Sequence, residues 1–161
     1  MEDWIDFYVA TVGAAGALAG LVVVAISINI TRILEYAGLP SLAAHTVATI
    51  GMTLVVGCFA LFPHQSLLAF GIEAVACGVS VGAYGVRRTL VSWAARRPGD
   101  PLIWRVSVLT TASLSSLPYV IGGIALVLGN TAGLYWIAVG VILGLVITLQ
   151  NGWVLLIEIL R

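Results

Sequence analysis

The sequence predicts an all-α fold: a polytopic transmembrane bundle of five helices, with the N-terminus outside and the C-terminus in the cytoplasm. Three observations predict it. Of the 161 residues, 61% are hydrophobic and 9% are charged, whereas a soluble domain is about half apolar and about a quarter charged. Five apolar runs each reach the roughly 20 residues that a spanning helix needs. The basic residues all fall on one side of a chain with five spans.

The five apolar runs follow one another with short breaks, so we expect a single transmembrane domain over residues 1–161. The helices are expected over residues 8–30, 42–62, 66–86, 102–128 and 132–157. The breaks contain turn-forming residues such as Gly38, Pro63 and Gly129. No run alternates apolar and polar residues with a period of two, which excludes the strands of a membrane β-barrel.

The distribution of basic residues predicts the orientation. All seven are Arg: Arg32 follows the first helix, a cluster from Arg87 to Arg105 surrounds the third connection, and Arg161 ends the chain. Short cytoplasmic segments of membrane proteins collect basic residues. Five spans put all of these positions on one side, whereas four spans would separate them. The N-terminus is therefore expected outside the cell.

The chain begins with three acidic residues at the outer mouth of the first helix: Glu2, Asp3 and Asp6. In a ring of subunits they would form an outer acidic collar that concentrates cations. In a monomer they would be solvated residues that only help to fix the topology. The sequence leaves both interpretations open.

Composition and spacing exclude several kinds of chemistry. The net charge is 0 and the chain has no basic tail or acidic block, so no nucleic-acid partner is expected. The chain has no Lys and cannot hold a cofactor as a Schiff base. His45 and His64 are 19 residues apart, about 28 Å along a helix, which is too far to share a metal ion or haem. No protease motif is present, and we expect no enzymatic activity, no cofactor and no metal site.

The first and fifth helices share a glycine motif. Gly16-Ala-Leu-Ala-Gly20-Leu-Val in the first matches Gly140-Val-Ile-Leu-Gly144-Leu-Val in the fifth. Small residues four positions apart let two helix backbones approach closely in lipid. These faces are expected to pack helices together, either within one chain or between copies in a homo-oligomer.

Glu73 is the only acidic residue well inside an apolar run. An ionisable side chain at such a depth costs about 2.5–3.5 kcal/mol on insertion scales and tends to face the protein interior. Thr53 and Tyr119 are expected at a similar depth on neighbouring helices, and either could donate a hydrogen bond to the carboxyl group. Glu73 would then act as a protonated bridge between helices or as part of an ion or proton pathway.

Two further sets of polar residues lie inside the apolar runs. The fourth helix carries a polar seam at spacings of four residues: Ser107, Thr111, Ser115 and Tyr119. Gln150 and Asn151 lie near the cytoplasmic end of the fifth helix. Such side chains either join helices by hydrogen bonds or line a pathway. In a pathway, Gln150 and Asn151 would form a pore constriction.

The segment from Phe7 to Ile30, the following Leu39-Pro40 and the tail from Asn151 to Arg161 resemble a family of small actinobacterial membrane proteins. Members of this family are often labelled as modulators of FtsH protease. The resemblance runs along the whole chain and is strongest in the first helix and the tail. It implies a bacterial plasma membrane and supplies no catalytic or binding residues.

Together these features favour a non-enzymatic plasma membrane protein that assembles with itself in the lipid bilayer and forms or modulates a pathway for small ions. The alternative is an accessory or scaffold protein that docks onto another membrane protein, such as a membrane protease, through its glycine faces and Arg-rich loop. A channel predicts a continuous polar surface through the assembled protein, whereas an accessory protein predicts a dry core.

Overall fold

The structure, a computed structural model, describes residues 2–36, 38–94 and 102–157, with side chains over 3–36, 38–91 and 109–157. These residues form helices and connecting turns, with no β-strand among them. A short 3-10 helix (Glu2–Trp4) precedes six α-helices. They are α1 (Ile5–Ile28), α2 (Ile30–Glu35), α3 (Leu39–Ala60), α4 (Leu67–Ala94), α5 (Leu102–Val127) and α6 (Gly133–Leu156).

Five of these helices, α1 and α3 to α6, are long and apolar enough to span a membrane, so the predicted multi-span helical fold is confirmed. The observed helix ends lie within three residues of the predicted bounds except in the third run, and the first run is divided into two helices. The first run is interrupted at Asn29, after which the short α2 continues the chain in a new helix. The third run does not end at Val86. Residues 87–94 are more polar but remain helical, so α4 ends at Ala94.

Local sequence explains where several helices begin and end. Gly38 adopts a left-handed conformation (φ 97°), and Pro40 lies in the first turn of α3, where its missing N–H costs no hydrogen bond. Gly129 also adopts a left-handed conformation (φ 82°), and there it ends α5. Ser66 precedes α4, and its hydroxyl accepts a hydrogen bond from the Ala69 N–H at 3.1 Å.

Glycines bring α4 and α5 into close antiparallel contact. A Cβ added at Gly71 would lie 2.8 Å from the carbonyl oxygen of Gly123, and one added at Gly85 would lie 2.6 Å from the Cβ of Ala112. Gly78 lies midway between them and faces the Ser116 turn of α5. These α4 glycines recur every seven residues, so one face of the helix can follow α5 along its length.

Helices α3 and α6 lie at the centre of the bundle, whereas α1 lies at its edge. Half of the apolar window of α3 and of α6 is buried, against 17% for α1. The buried residues of α1 include one line with a spacing of seven, Tyr8, Ala15 and Val22, and the buried Asn29 at its C-terminal cap continues this spacing. We call the side of the bundle on which α1 begins the N-terminal side. There Trp4 packs edge-on against Tyr135 at 4.9 Å between ring centroids, which shows that α1 and α6 run parallel.

A buried polar column as the candidate functional site

A hydrogen-bonded pair lies between α3 and α5 in the N-terminal half of the bundle. The Tyr119 hydroxyl lies 3.2 Å from Thr53 Oγ1, and both side chains are buried. The Thr53 hydroxyl donates to the Thr49 carbonyl at 3.0 Å. Because a hydroxyl has one proton to donate, Tyr119 is the donor within the pair.

Helix α6 makes room for this pair with its two motif glycines. A Cβ at Gly140 would lie 3.0 Å from the Tyr119 ring. A Cβ at Gly144 would meet the Thr53 hydroxyl and would lie 3.6 Å from the Tyr119 hydroxyl. The glycine motif of α6 therefore packs within the chain, against polar side chains.

The contacts between α3 and α6 fix an antiparallel register. Thr53 lies against Gly144, and toward the opposite side Leu155 packs in one cluster with Ala43. One turn from the first contact this register places Thr49 opposite Thr148, and the next turn places Thr46 opposite Asn151. All four of these side chains are buried.

Several of these buried polar atoms have no hydrogen-bond partner in the described part of the chain. They are Thr49 Oγ1, Thr148 Oγ1, Asn151 Nδ2 and the Tyr8 hydroxyl. An unsatisfied buried polar group costs about 1–3 kcal/mol, and buried waters commonly satisfy such groups. The interface between α3 and α6 therefore offers hydrogen-bonding groups that water molecules can satisfy.

Polar side chains also lie toward both sides of this interface. Tyr8 is fully buried on the N-terminal side, where its ring packs edge-on against Phe70 at 6.0 Å. On the opposite side, Asn29 Nδ2 donates to the Leu155 carbonyl at 2.9 Å. We call the whole set the polar column: Tyr8, Tyr119, Thr53, Thr49, Thr148, Thr46, Asn151 and Asn29.

His45 borders the column on the side facing α4. Its ring is 1% exposed, and neither ring nitrogen has a hydrogen-bond partner among the described residues. The ring stacks on Tyr84 of α4 with 6.5 Å between centroids and 18° between planes. Thr49 follows His45 by one helical turn, so the imidazole and the Thr49 hydroxyl share one face of α3.

Glu73 lies apart from the polar column. The expectation that Thr53 or Tyr119 donates to its carboxyl group is wrong, because those two hydroxyls bond to each other. Instead the side-chain amide of Gln65, in the turn before α4, donates to Glu73 Oε2 at 2.6 Å. Glu73 is half-buried in a groove between α3 and α4, on the N-terminal side.

The polar seam of the fourth predicted helix lies on α5 and faces the interior where the structure describes it. Ser115 is buried and donates to the Ala112 carbonyl at 3.0 Å, while Thr111 is half-buried. The side chain of Ser107 lies outside the described residues. Ser115 therefore bonds within its own helix, whereas Tyr119 bonds to α3 and is the member of the seam that belongs to the polar column.

The other sequence-predicted residues divide between the interior and the surface. Asn151 is buried, but the adjacent Gln150 is exposed, so Gln150 neither joins helices nor constricts a path within the protomer. Asp3 and Asp6 are exposed on the N-terminal side, whereas the side chain of Glu2 lies outside the described residues.

The glycine motif of the first helix does not pack within the chain. Gly16 and Gly20 are exposed, and a Cβ added at either would meet nothing within 4 Å. The contrast with Gly140 and Gly144 arises because the motif of α1 lies on the side of the helix away from α3 and α6.

Sequence reasoning missed five of the eight members of the column: Tyr8, Asn29, Thr46, Thr49 and Thr148. A usable signal was present on the second predicted helix, where Thr46, Thr49 and Thr53 recur at spacings of three and four and therefore share one helix face. Asn29 and Tyr8 carried no such signal, because each is a single polar residue near the end of an apolar run.

A comparison of the chain with protein-family models, curated proteins and solved structures finds no match.

Proposed function

We propose that this chain is a non-enzymatic, self-assembling plasma membrane protein that forms or modulates a pathway for small ions, along the polar column of each protomer. The observation that carries the proposal is the set of buried, unpartnered polar atoms inside two spanning helices, on Thr49, Thr148 and Asn151. Polar groups inside the hydrocarbon region are costly and characteristically mark ion or proton pathways.

The chemistry of the column favours the proton as the transported ion. Most of its members are hydroxyl groups, which both donate and accept hydrogen bonds and can continue a chain of bound water molecules. The column contains no carboxylate or guanidinium group, so it offers no charge to compensate a desolvated metal cation. His45, beside Thr49, adds two ring nitrogens that can extend such a hydrogen-bonded chain.

The charge distribution supports an orientation with the N-terminal side outside the cell. Asp3 and Asp6 lie on that side, whereas Arg32, Arg87 and Arg88 belong to helical segments toward the opposite side. Basic residues concentrate in cytoplasmic segments. The resemblance of the first helix and the tail to actinobacterial membrane proteins supports a bacterial plasma membrane as the location.

Proton flux in liposomes tests the proposal. The variant Thr49→Val/Thr148→Val replaces two hydroxyls by methyl groups of similar size and is expected to reduce proton uptake at least about tenfold, as loss of about 1.4 kcal/mol of stabilisation along the path would. The matched control is Thr11→Val, since the Thr11 hydroxyl bonds only within α1, to the Phe7 and Tyr8 carbonyls. Equal flux in the wild type and the double variant would contradict a pathway through the column.

A second candidate function, that of an accessory protein for a larger membrane complex, is favoured by the free face of α1. Gly13, Gly16 and Gly20 all lie open on a helix that contributes little to the core. Mass measurement in nanodiscs distinguishes the two uses of this face. Self-assembly predicts an oligomer that Gly16→Leu/Gly20→Leu disperses, whereas an accessory role predicts a monomer whose mass the same variant leaves unchanged.

A further inference from the structure

A groove of about 390 Å³ separates α3 from α4 and is open to the outside of the bundle. Its walls are almost wholly apolar and include Met52, Val55 and Phe59 of α3, together with Ala76 and Val81 of α4. The groove is shallow and open along one side. The groove is separate from the polar column, which lies on the side of α3 that faces α6.

One charged side chain lines this groove, the carboxyl group of Glu73. It is about 9 Å from the start of α4, at six residues past Leu67. Its hydrogen bond from Gln65 Nε2 at 2.6 Å orients the group but brings no positive charge.

No described basic side chain compensates Glu73. Within the described ranges the one ion pair joins Arg32 to Glu35 at 3.4 Å, on the opposite side of the bundle. Arg87, on the same helix as Glu73, is 14 residues away, or about 21 Å along the axis. A carboxylate inside an apolar span is stabilised by an opposite charge, so the groove is complementary to a cation that can itself enter the hydrocarbon region.

The aromatic lining adds to this complementarity. Phe59 lies in the groove and is held edge-on against Phe62, with 5.5 Å between ring centroids. An aromatic face attracts an organic cation within about 6 Å of the ring centroid, and desolvated surroundings strengthen the attraction. Carboxylate, aromatic ring and apolar walls together suit a charged head joined to apolar rings or chains.

We propose that the α3–α4 groove is a binding site for a lipophilic organic cation, such as a quaternary phosphonium or ammonium compound, with Glu73 as its counter-charge. The cation enters sideways from the lipid, and its apolar groups replace lipid chains between Val55 and Ala76. This inference does not rest on the proposed ion pathway, since it uses none of the residues of the polar column.

Isothermal titration calorimetry on the detergent-purified full chain tests the site, with tetraphenylphosphonium as the probe. Tetraphenylborate has nearly the same shape and the opposite charge, so it controls for non-specific partitioning. We expect saturable binding of one phosphonium ion per protomer and only non-saturable uptake of the borate. Glu73→Gln is expected to weaken phosphonium binding at least about tenfold, because the charge is lost while the size and the oxygen that accepts from Gln65 are kept.

Two matched controls keep the test interpretable. Asp6→Asn removes an exposed carboxylate of α1 outside the groove and is expected to leave phosphonium binding unchanged. Ala76→Leu fills the groove while retaining the charge and is expected to abolish binding, whereas Ala83→Leu, two turns along the exposed face of α4, is expected to have no effect. Non-saturable phosphonium uptake, or equal affinity in the wild type and Glu73→Gln, would overturn the proposal. Proton flux through Glu73→Gln liposomes should remain at the wild-type level, so the failure of either proposal can be recognised separately.

Discussion

The two glycine motifs of this chain have nearly the same sequence and opposite surroundings. In α6, Gly140 and Gly144 lie against Tyr119 and Thr53, and an added Cβ at either position would press on those side chains. In α1, Gly16 and Gly20 face outward, with nothing within 4 Å of an added Cβ.

This difference shows that a glycine motif predicts the capacity for close approach but not the partner. In α6 the glycines leave space for Tyr119 and Thr53, and these two side chains form a hydrogen-bonded polar pair inside an apolar bundle. In α1 the same spacing leaves an open strip on a helix of which only 17% of the apolar window is buried. Glycine at an unpacked position has no steric role in the protomer, so selection on the α1 motif would have to act through assembly.

The largest expected effect comes from filling the two motifs with the same residue. Gly144→Leu is expected to destabilise the fold by about 1–3 kcal/mol or more, because the new side chain collides with Thr53 and Tyr119 in a packed interior. Gly20→Leu, the equivalent change in α1, is expected to stay within about 0.5 kcal/mol of the wild type. Reversible unfolding in mixed micelles measures both; equal losses of stability would contradict the assigned surroundings.

A smaller effect is expected where α1 does engage α6. Asn29→Leu removes the hydrogen bond from Asn29 Nδ2 to the Leu155 carbonyl and is expected to cost about 0.5–1.5 kcal/mol. Ser27→Ala is the control, since the Ser27 hydroxyl is exposed and bonds only to the Val23 carbonyl of its own helix. The free energies of unfolding of the two variants should differ; if they agree, α1 is not anchored through Asn29.

The smallest expected effect concerns the pair that the α6 motif accommodates. A double-mutant cycle with Thr53→Val and Tyr119→Phe isolates their hydrogen bond from the change in packing. The expected coupling free energy is about 0.6 kcal/mol, since hydrogen bonds between membrane helices average that value and rarely exceed about 1.7 kcal/mol. A coupling of zero would mean that the two hydroxyls do not bond in the membrane.

The sequence was sufficient to predict five spanning helices, because hydrocarbon length and backbone hydrogen bonding leave few other solutions for runs such as that around Leu145. It was not sufficient to predict which face of each helix is buried. Helices α1 and α6 carry apolar residues around their whole circumference. The hydrophobic periodicity that identifies the buried face of a soluble helix therefore carries little information here. The packing of Gly16 and the pairing of Glu73 therefore depended on neighbours that only the tertiary structure identifies.

Much of the candidate site was hidden for the same reason. Asn151 and Gln150 are adjacent and chemically alike, yet one is buried in the column and the other is exposed. Successive side chains of a helix point about 100° apart, so two neighbours face different sides of the helix. Packing against the other helices decides which of the two sides is buried. Thr49 and Thr148 come together only because the Thr53–Gly144 contact fixes the register of α3 against α6.

Proton flux through liposomes carrying Asn151→Leu or Gln150→Leu tests the central claim most directly. Both variants remove one amide side chain from the same turn of α6, so they match in composition and hydropathy. A pathway along the polar column predicts that Asn151→Leu lowers the flux at least about tenfold, while Gln150→Leu leaves it at the wild-type rate. Equal rates for the two variants would contradict a pathway through the interior of the protomer.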